Sequence, residues 1–293
     1  MAQATISALV AATIAFALAG CSAQGAEDNA DPVDANDRVT SILNAGVTAE
    51  LGEAEQSVKF LFDPLYDNHF GTFEIPSDEL IEAIVTGAPP YHDVDAVLVS
   101  HAHGDHFSAS QLTQLLSAQD SVKLVAPAQA VERMRQLDEW QTAFEERVIA
   151  IAIANGEAAP SFEVSGATIE AIRTPHSGWP ERHVDTHNLT YRVSAPNGAR
   201  VMHFGDADPG EQHFAPHAEF FADARTGLAI VPFWHFSTED PARLIDQTFN
   251  ADGAVGMHVP VDEPGWLADS GWEYFNGLGQ QVGVPGAADE PQE

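Results

Sequence analysis

The sequence predicts an α/β (α+β) fold in which mixed β-sheets pack together and are flanked by helices, and three observations predict it. Strand-like and helix-like runs alternate as far as residue 137. From Val148 onward, strand candidates follow one another with turn residues between them. A helix-like run and a strand then return after residue 240, so mixed elements fill two similar halves. This pattern argues for packed sheets with helices outside them rather than a doubly wound parallel sheet.

Each element has a local reason. Residues 57–63 (SVKFLFD) and 94–100 (VDAVLVS) are apolar and β-branched, as buried or half-buried strands are. Residues 77–85 place Leu80, Ile81, Ile84 and Val85 on one helical face, with Ser77 as N-cap and Asp78 and Glu79 at the positive end of the helix. Helices at 110–116 and 129–137 enclose a strand at 122–127. Strands follow at 148–153, 162–164, 168–173, 189–193 and 200–204, and Pro196-Asn197-Gly198 turns a hairpin between the last two. A helix at 240–249 and a strand at 254–259 complete the series, with no repeat of fixed period.

Hydrophobic residues make up 44% of the 293, enough for a sizeable core. The net charge of −32 comes from 44 acidic against 12 basic residues. That excess repels nucleic acid and anionic membrane surfaces and argues against both as general partners.

Residues 6–18 form an apolar run too short to cross a bilayer, leading into Ala19-Gly20-Cys21 like a secretory h-region and cleavage site. Leu18-Ala19-Gly20-Cys21 resembles the lipobox of bacterial lipoproteins, in which the cysteine becomes the lipidated first residue. Cys21 is the only cysteine, which fits that use and rules out an internal disulfide. One departure is that no Lys or Arg precedes the apolar run. The expected organisation is a signal peptide at 1–21, a flexible tether at 22–37, a folded domain at 38–282 and a disordered acidic tail at 283–293. The expected location is outside the cytoplasm, facing the periplasm or cell exterior and held to a membrane by lipid.

The chemistry concentrates in Ser100-His101-Ala102-His103-Gly104-Asp105-His106, directly after an apolar strand. Three imidazoles and a carboxylate at a strand end suit zinc and similar borderline ions. His101 and His103, at alternate positions, can face one ion, while Asp105 and His106, further round the turn, face a second.

These residues match the His-x-His-x-Asp-His motif of the metallo-β-lactamase superfamily. Thr174-Pro175-His176-Ser177, His203-Phe204-Gly205-Asp206 and Met257-His258-Val259-Pro260 resemble that family's later motifs, in order and at strand ends. The resemblance covers the chain from about Gln56 onward and implies a four-layer αββα sandwich. It implies that His101, His103 and His176 hold a first ion, that Asp105, His106 and His258 hold a second, and that Asp206 bridges them. Asp105 and Asp206 are then also catalytic. The family's true β-lactamases generally lack such a bridging carboxylate, so antibiotic hydrolysis is the weaker reading. Phe62-Asp63-Pro64 and residues 188–206 resemble the branch of ascorbate-6-phosphate lactonase and N-acyl-phosphatidylethanolamine phospholipase D.

The implied activity is hydrolysis of an ester, lactone or phosphoester by a hydroxide shared between two divalent ions, Zn2+ by default with Mn2+ or Fe2+ as alternatives. The expected partner is a small-molecule or lipid-like substrate. A lipid phosphodiesterase, a β-lactamase side activity and a non-catalytic metal-binding lipoprotein are the competing readings. Tyr66, His69, Trp179 and His235 are candidates for the substrate pocket, with ordinary core packing as the alternative for Tyr66, Trp179 and His235. His203, just ahead of Asp206, is a candidate supporting partner.

Overall fold

The computed structural model describes residues 37–53 and 56–286. Cys21, the signal segment and the tether up to residue 36 lie outside the described residues. Among the described residues no helix is long and apolar enough to cross a membrane.

Two sheets carry the fold. The first contains β1 (Arg38–Leu43), β2 (Gly46–Leu51), β3 (Val58–Phe62), β4 (Ala96–Leu98), β5 (Lys123–Pro127), β6 (Val148–Ile151) and β13 (Gln281–Gly283), in the order β13-β1-β2-β3-β4-β5-β6. Its β13 to β3 side is antiparallel and its β3 to β6 side parallel. The second sheet runs β12 (Ala251–Met257), β11 (Thr226–Pro232), β10 (Arg200–His203), β9 (Asn188–Ser194), β8 (Ala167–Thr174), β7 (Ser161–Val164). Its first three strands are parallel and the remainder antiparallel.

Strand alternation sorts side chains into layers. Phe60, Phe62, Ala96 and Leu98 face inward and meet Ile169, Ala171, Tyr191, Val201, Leu228 and Ile230 from the opposite sheet. Leu61, Val97 and Val99 face outward onto α1 (Asp78–Thr86), α2 (Ala109–Ala118) and α3 (Ala128–Arg135). Met202, Ala229 and Val231 face outward on the second sheet, against Phe220 and Phe221 of α4 (Ala218–Asp223), Leu244 and Phe249. The four-layer αββα sandwich is therefore the observed architecture. Truncating one of the fully buried phenylalanines to alanine costs roughly 3–5 kcal/mol in such cores.

Ser77 caps α1 by accepting from the Leu80 amide, and Ser108 caps α2 by accepting from that of Gln111. The helix expected at 240–249 is only one turn of α-helix, α5 (Pro241–Arg243), continued by a wider π-type turn at Leu244–Thr248.

Both domain limits move outward. Asp37, expected in the tether, is buried; its carboxylate accepts from the amide of Gly52 and the side chain of Asn197. Gly283, expected in the tail, pairs with Arg38, and Val284 is buried with its amide bonded to the Asp37 carbonyl. A one-residue apolar plug and a backbone ladder hold this end, and neither leaves a periodic signal in the sequence.

Candidate metal centre

Strand ends from both sheets deliver the site. β4 ends at Leu98 and feeds the His-rich loop, β8 leads to His176, β10 to Asp206 and β12 to His258. The chain turns so tightly after β10 that Gly205 takes a φ of +54°. A Cβ there would lie 2.3 Å from Asn188 Oδ1 and 2.6 Å from Ser100 Cβ. Gly104 is needed for a different reason: the 67–73 loop packs on it, and a Cβ would meet that of Asn68 at 2.8 Å.

Two clusters result. In the first, His101 Nε2 is 3.0 Å from His103 Nδ1, and the ring of His176 lies 4.8 and 4.7 Å from those of His101 and His103. In the second, His106 Nε2 and His258 Nε2 are 2.9 Å apart, with Asp105 Oδ2 3.4 Å from His258 Nε2. Asp206 stands between them. Its Oδ2 is 3.3 Å from His176 Nε2, while its Oδ1 is 3.1 Å from His106 Nε2 and 3.2 Å from His258 Nε2.

Hydrogen bonds behind the clusters turn the ring nitrogens inward. The buried Asp63 carboxylate accepts from His106 Nδ1 at 2.8 Å, from the Ser100 hydroxyl at 2.6 Å and from the Ser100 amide at 2.7 Å. Ser100 Oγ accepts in turn from His101 Nδ1 at 3.0 Å. His176 Nδ1 donates to the Ser177 carbonyl, and His103 Nε2 contacts the Thr186 hydroxyl. Asn188 Oδ1 holds the Asp206 amide, and Asn44 Nδ2 donates to the Asp105 carbonyl. Such partners fix tautomer and orientation in metal sites.

Electrostatics follow the geometry. Burial would raise Asp206, but His258 and His106 outweigh it and hold the carboxylate well below its ordinary range. Burial would lower His106, but Asp206 and Asp63 raise it well above normal; His258 is raised by Asp206 and Asp105 against the same burial. Burial and the neighbouring histidines push His101 well down and His103 to about 4.

The donor set fits metal ions. His176 Nε2 and Asp206 Oδ1 are buried and make no hydrogen bond, although a buried polar atom without a partner is costly. Nitrogens about 2.0–2.1 Å from a four-coordinate ion lie roughly 3.3 Å from one another, close to the spacings seen here. Three groupings can each hold an ion by the convergence of their ligand atoms: His101, His103 and His176; His101, Asp105 and His106; His106, Asp206 and His258.

The pocket candidates separate. Trp179 is 42% exposed and lines a cavity beside His176. His69 is half-buried on the 67–73 loop, its Nδ1 bonded to the Phe73 carbonyl. Tyr66 is fully buried, its hydroxyl donating to the Glu74 carbonyl, so it packs rather than forming a pocket wall. His235 is likewise buried, among Phe204, Phe214 and Phe249 on the helix side of the second sheet. Phe233 and Phe236 of the run around it pack with that core, so His235 points away from the cleft, while Trp234 turns toward His258. His203 stacks on Phe62 and bonds the Ala45 carbonyl and the Gly205 amide, so it shapes the turn before Asp206 without touching the cluster. Two contributors lacked a clear signal. Asp63 stands out in the sequence only as part of the Phe62-Asp63-Pro64 resemblance, with no role at the metal centre attached, and Asn44 sits in a hairpin that the periodicity does not mark.

A convergent set of imidazoles and carboxylates at the strand ends of an αββα sandwich defines a metal-dependent hydrolase of the metallo-β-lactamase type. The chain belongs to the beta-lactamase superfamily domain family, whose model matches residues 59–260. No curated protein matches it in sequence. Among solved structures it is similar to "a possible metal-dependent hydrolase" from Veillonella parvula DSM 2008, with TM-score 0.54, 16% identity, and 85% of this chain and 100% of that one covered. The isothiocyanate hydrolase from Delia radicum gut bacteria has TM-score 0.54 at 15% identity, covering 84% of this chain and 98% of that one. Igni18, a metallo hydrolase from Ignicoccus hospitalis KIN4/I, has TM-score 0.52 at 16% identity, covering 84% and 97%. At these identities the likeness is one of fold.

Proposed function

We propose that the protein is a dinuclear metal-dependent hydrolase of an ester, lactone or phosphoester. The observation that carries this is Asp206, whose two oxygens face different histidine clusters, as a bridging carboxylate must. His101, His103 and His176 would hold one ion, Asp105, His106 and His258 the other. Imidazole with carboxylate suits Zn2+ first, and Mn2+ or Fe2+ next. A pair of divalent ions bound here supplies Lewis acidity, which lowers the pKa of water and stabilises charge developing on an attacked carbonyl or phosphoryl oxygen. Asp63 and Ser100 hold His106 and His101 in the ligating tautomer. Asp105, held down by its bond to His258 against burial, is an ionised acceptor able to orient an attacking water.

The buried Asp63 supports membership of the lactonase and phospholipase D-like branch, since its Asp-Pro step carries a structural task at the metal centre. A lipid-like substrate is the second reading. It is favoured by Phe70, Trp179, Val184 and Val261, exposed large apolar residues on loops that carry or touch cluster residues. The reading also includes export and lipid attachment at Cys21, which would hold the site near a membrane.

The test is metal content of the purified protein together with turnover of chromogenic esters, lactones, phosphodiesters and β-lactams, before and after chelation. About two ions per chain and turnover that returns on reloading are expected. A protein that binds no metal after reconstitution would overturn the reading.

A further inference from the structure

Among the described residues, every lysine and arginine but two makes a side-chain hydrogen bond or ion pair. The two are Arg173 and Arg182, and both lie beside the first histidine cluster. Arg173 is three residues before His176. Its register partner Leu189 belongs to the inter-sheet core, so Arg173 stands on the inward face of β8 at the end that carries the site. It is half-buried and lines a cavity of about 190 Å³ together with His176, Trp179, His183 and Thr186. His183 closes the gap to the cluster, its ring 4.5 Å from that of His176 and 5.0 Å from that of His103. Arg182 folds back over Gly178, where a Cβ would come within 3.0 Å of its guanidinium.

The isolation of Arg173 is the informative fact. The chain is rich in carboxylates, so a half-buried guanidinium has many potential partners, yet among the described residues Arg173 makes an ion pair with none. Burial lowers the guanidinium's pKa, and the charge of Asp185, which makes no ion pair with it, offsets this only in part. A partly desolvated cation without a partner is costly, and an arriving anion removes that cost. The cavity is smaller than the roughly 300–1,000 Å³ of a whole-ligand pocket, so it suits one end of a substrate. Guanidinium matches planar or tetrahedral oxyanions through two parallel N–H bonds.

We propose that this cavity is an anion subsite: the substrate carries a carboxylate or phosphate-type oxyanion that pairs with Arg173, with Arg182 at the rim, while its scissile bond lies over the first cluster. The inference rests on the hydrolase reading above and narrows its substrate class.

The experiment uses the metal-loaded full chain and three matched esters: mono-4-nitrophenyl adipate, its ω-phosphonate counterpart and the neutral 4-nitrophenyl hexanoate. The wild type should prefer the charged esters. In Arg173→Ala that preference, measured as the ratio of kcat/KM values, should fall about 10- to 100-fold, mainly through KM, as expected for losing a charged hydrogen bond. Arg173→Lys should recover part of it. The carboxylate and phosphonate arms tell which oxyanion the subsite takes. Phenylglyoxal labelling read by mass spectrometry gives a second readout that needs no turnover: adipate or phenylphosphonate should protect Arg173, and hexanamide should not. Turnover with no charge preference that Arg173 controls would overturn the subsite and leave the hydrolase reading standing. No turnover of any ester, with protection retained, would fault the ester reading and keep the subsite. Absence of both preference and protection would remove it.

Discussion

Asp63→Asn should selectively weaken metal binding at the second cluster. The substitution keeps the shape of the side chain, and asparagine tolerates the φ of +43° found there, so the backbone is left unstrained. What changes is one atom. The amide oxygen can still accept from the Ser100 amide, but an NH2 group now sits where Oδ2 lies 2.8 Å from His106 Nδ1 and 2.6 Å from Ser100 Oγ. A donor facing the Nδ1–H forces the proton onto Nε2, which points at His258 and Asp206 and must be bare to ligate. Loss of such a supporting partner costs about 10- to 100-fold in metal affinity, or roughly 1.4–2.8 kcal/mol. His101 feels the change only through Ser100, so the first cluster should lose less. Chelator competition with stoichiometry measured at each step reads this directly. Wild-type affinity for both ions in the variant would refute the assigned role of Asp63.

Asp206→Asn removes the anion that serves both clusters, so metal content should drop and turnover should fall by about 10³-fold or more; near-normal rates in a metal-loaded variant would overturn the bridging assignment. Gly205→Ala should cost roughly 2–5 kcal/mol in chemical denaturation, because the new Cβ meets Asn188 and Ser100 at a positive φ; an unchanged midpoint would contradict the close approach. His235 is pushed down to about 3, by burial against its bond to the Pro232 carbonyl and the charge of Asp206. Its folded value lies below the unfolded one, so its contribution is full above about pH 6.5 and is lost as the pH falls toward about 3. His235→Phe should therefore lose on the order of 3–4 kcal/mol less stability than wild type between about pH 7 and pH 3, checked by urea melts across that range; parallel curves would count against the buried neutral imidazole. Metal binding near neutral pH should release protons, since His106 and His258 are raised in the metal-free protein and must be bare to ligate; heats independent of buffer ionisation enthalpy would argue against this.

The sequence was most legible where chemistry and periodicity coincide. His101 to His106 follow a β-branched strand, and that strand, the Ser77 cap and the later motif positions are found where the residue pattern puts them. Legibility fails where burial erases alternation. β11 (TGLAIVP) is buried at all its positions and so shows no period-two signal. The β1–β2 hairpin turns through Asn44 at a positive φ and Ala45, with Gly46 already on β2, so no Asn-Gly pair marks it. The site shows the same division. Ligands announce themselves by residue type, whereas Asp63 and Asn44 act through partners 37 and 61 residues away, which no local pattern records. His235 shows the converse: a ligand-type residue in an aromatic run is core because the 3-10 turn at Phe233–Ser237 directs it toward the helix layer.

The two clusters are not equivalent, and the difference bears on how a substrate reaches them. Phe73 stands edge-on to His258 at 4.1 Å and Trp234 lies 5.4 Å away. His106 and His258 are fully or almost fully buried, and Asp63 and Asn44 close the site from behind. The second cluster is thus walled in by side chains that hydrogen bonds and packing hold in place. The first cluster keeps a half-buried member, His103, with Thr186 and the exposed His183 over it, and the adjoining cavity opens beyond. Entry from the first-cluster side is the route that displaces no core residue. The same side carries Arg173 and Arg182, the two arginines without a side-chain hydrogen bond or ion pair among the described residues, in a chain whose net charge is −32, so an incoming anion is repelled by most of the surface and meets uncompensated cations at the mouth. Raising ionic strength should then raise the on-rate of a charged substrate by screening the repulsion, and its affinity should fall once the pair with Arg173 is screened in turn.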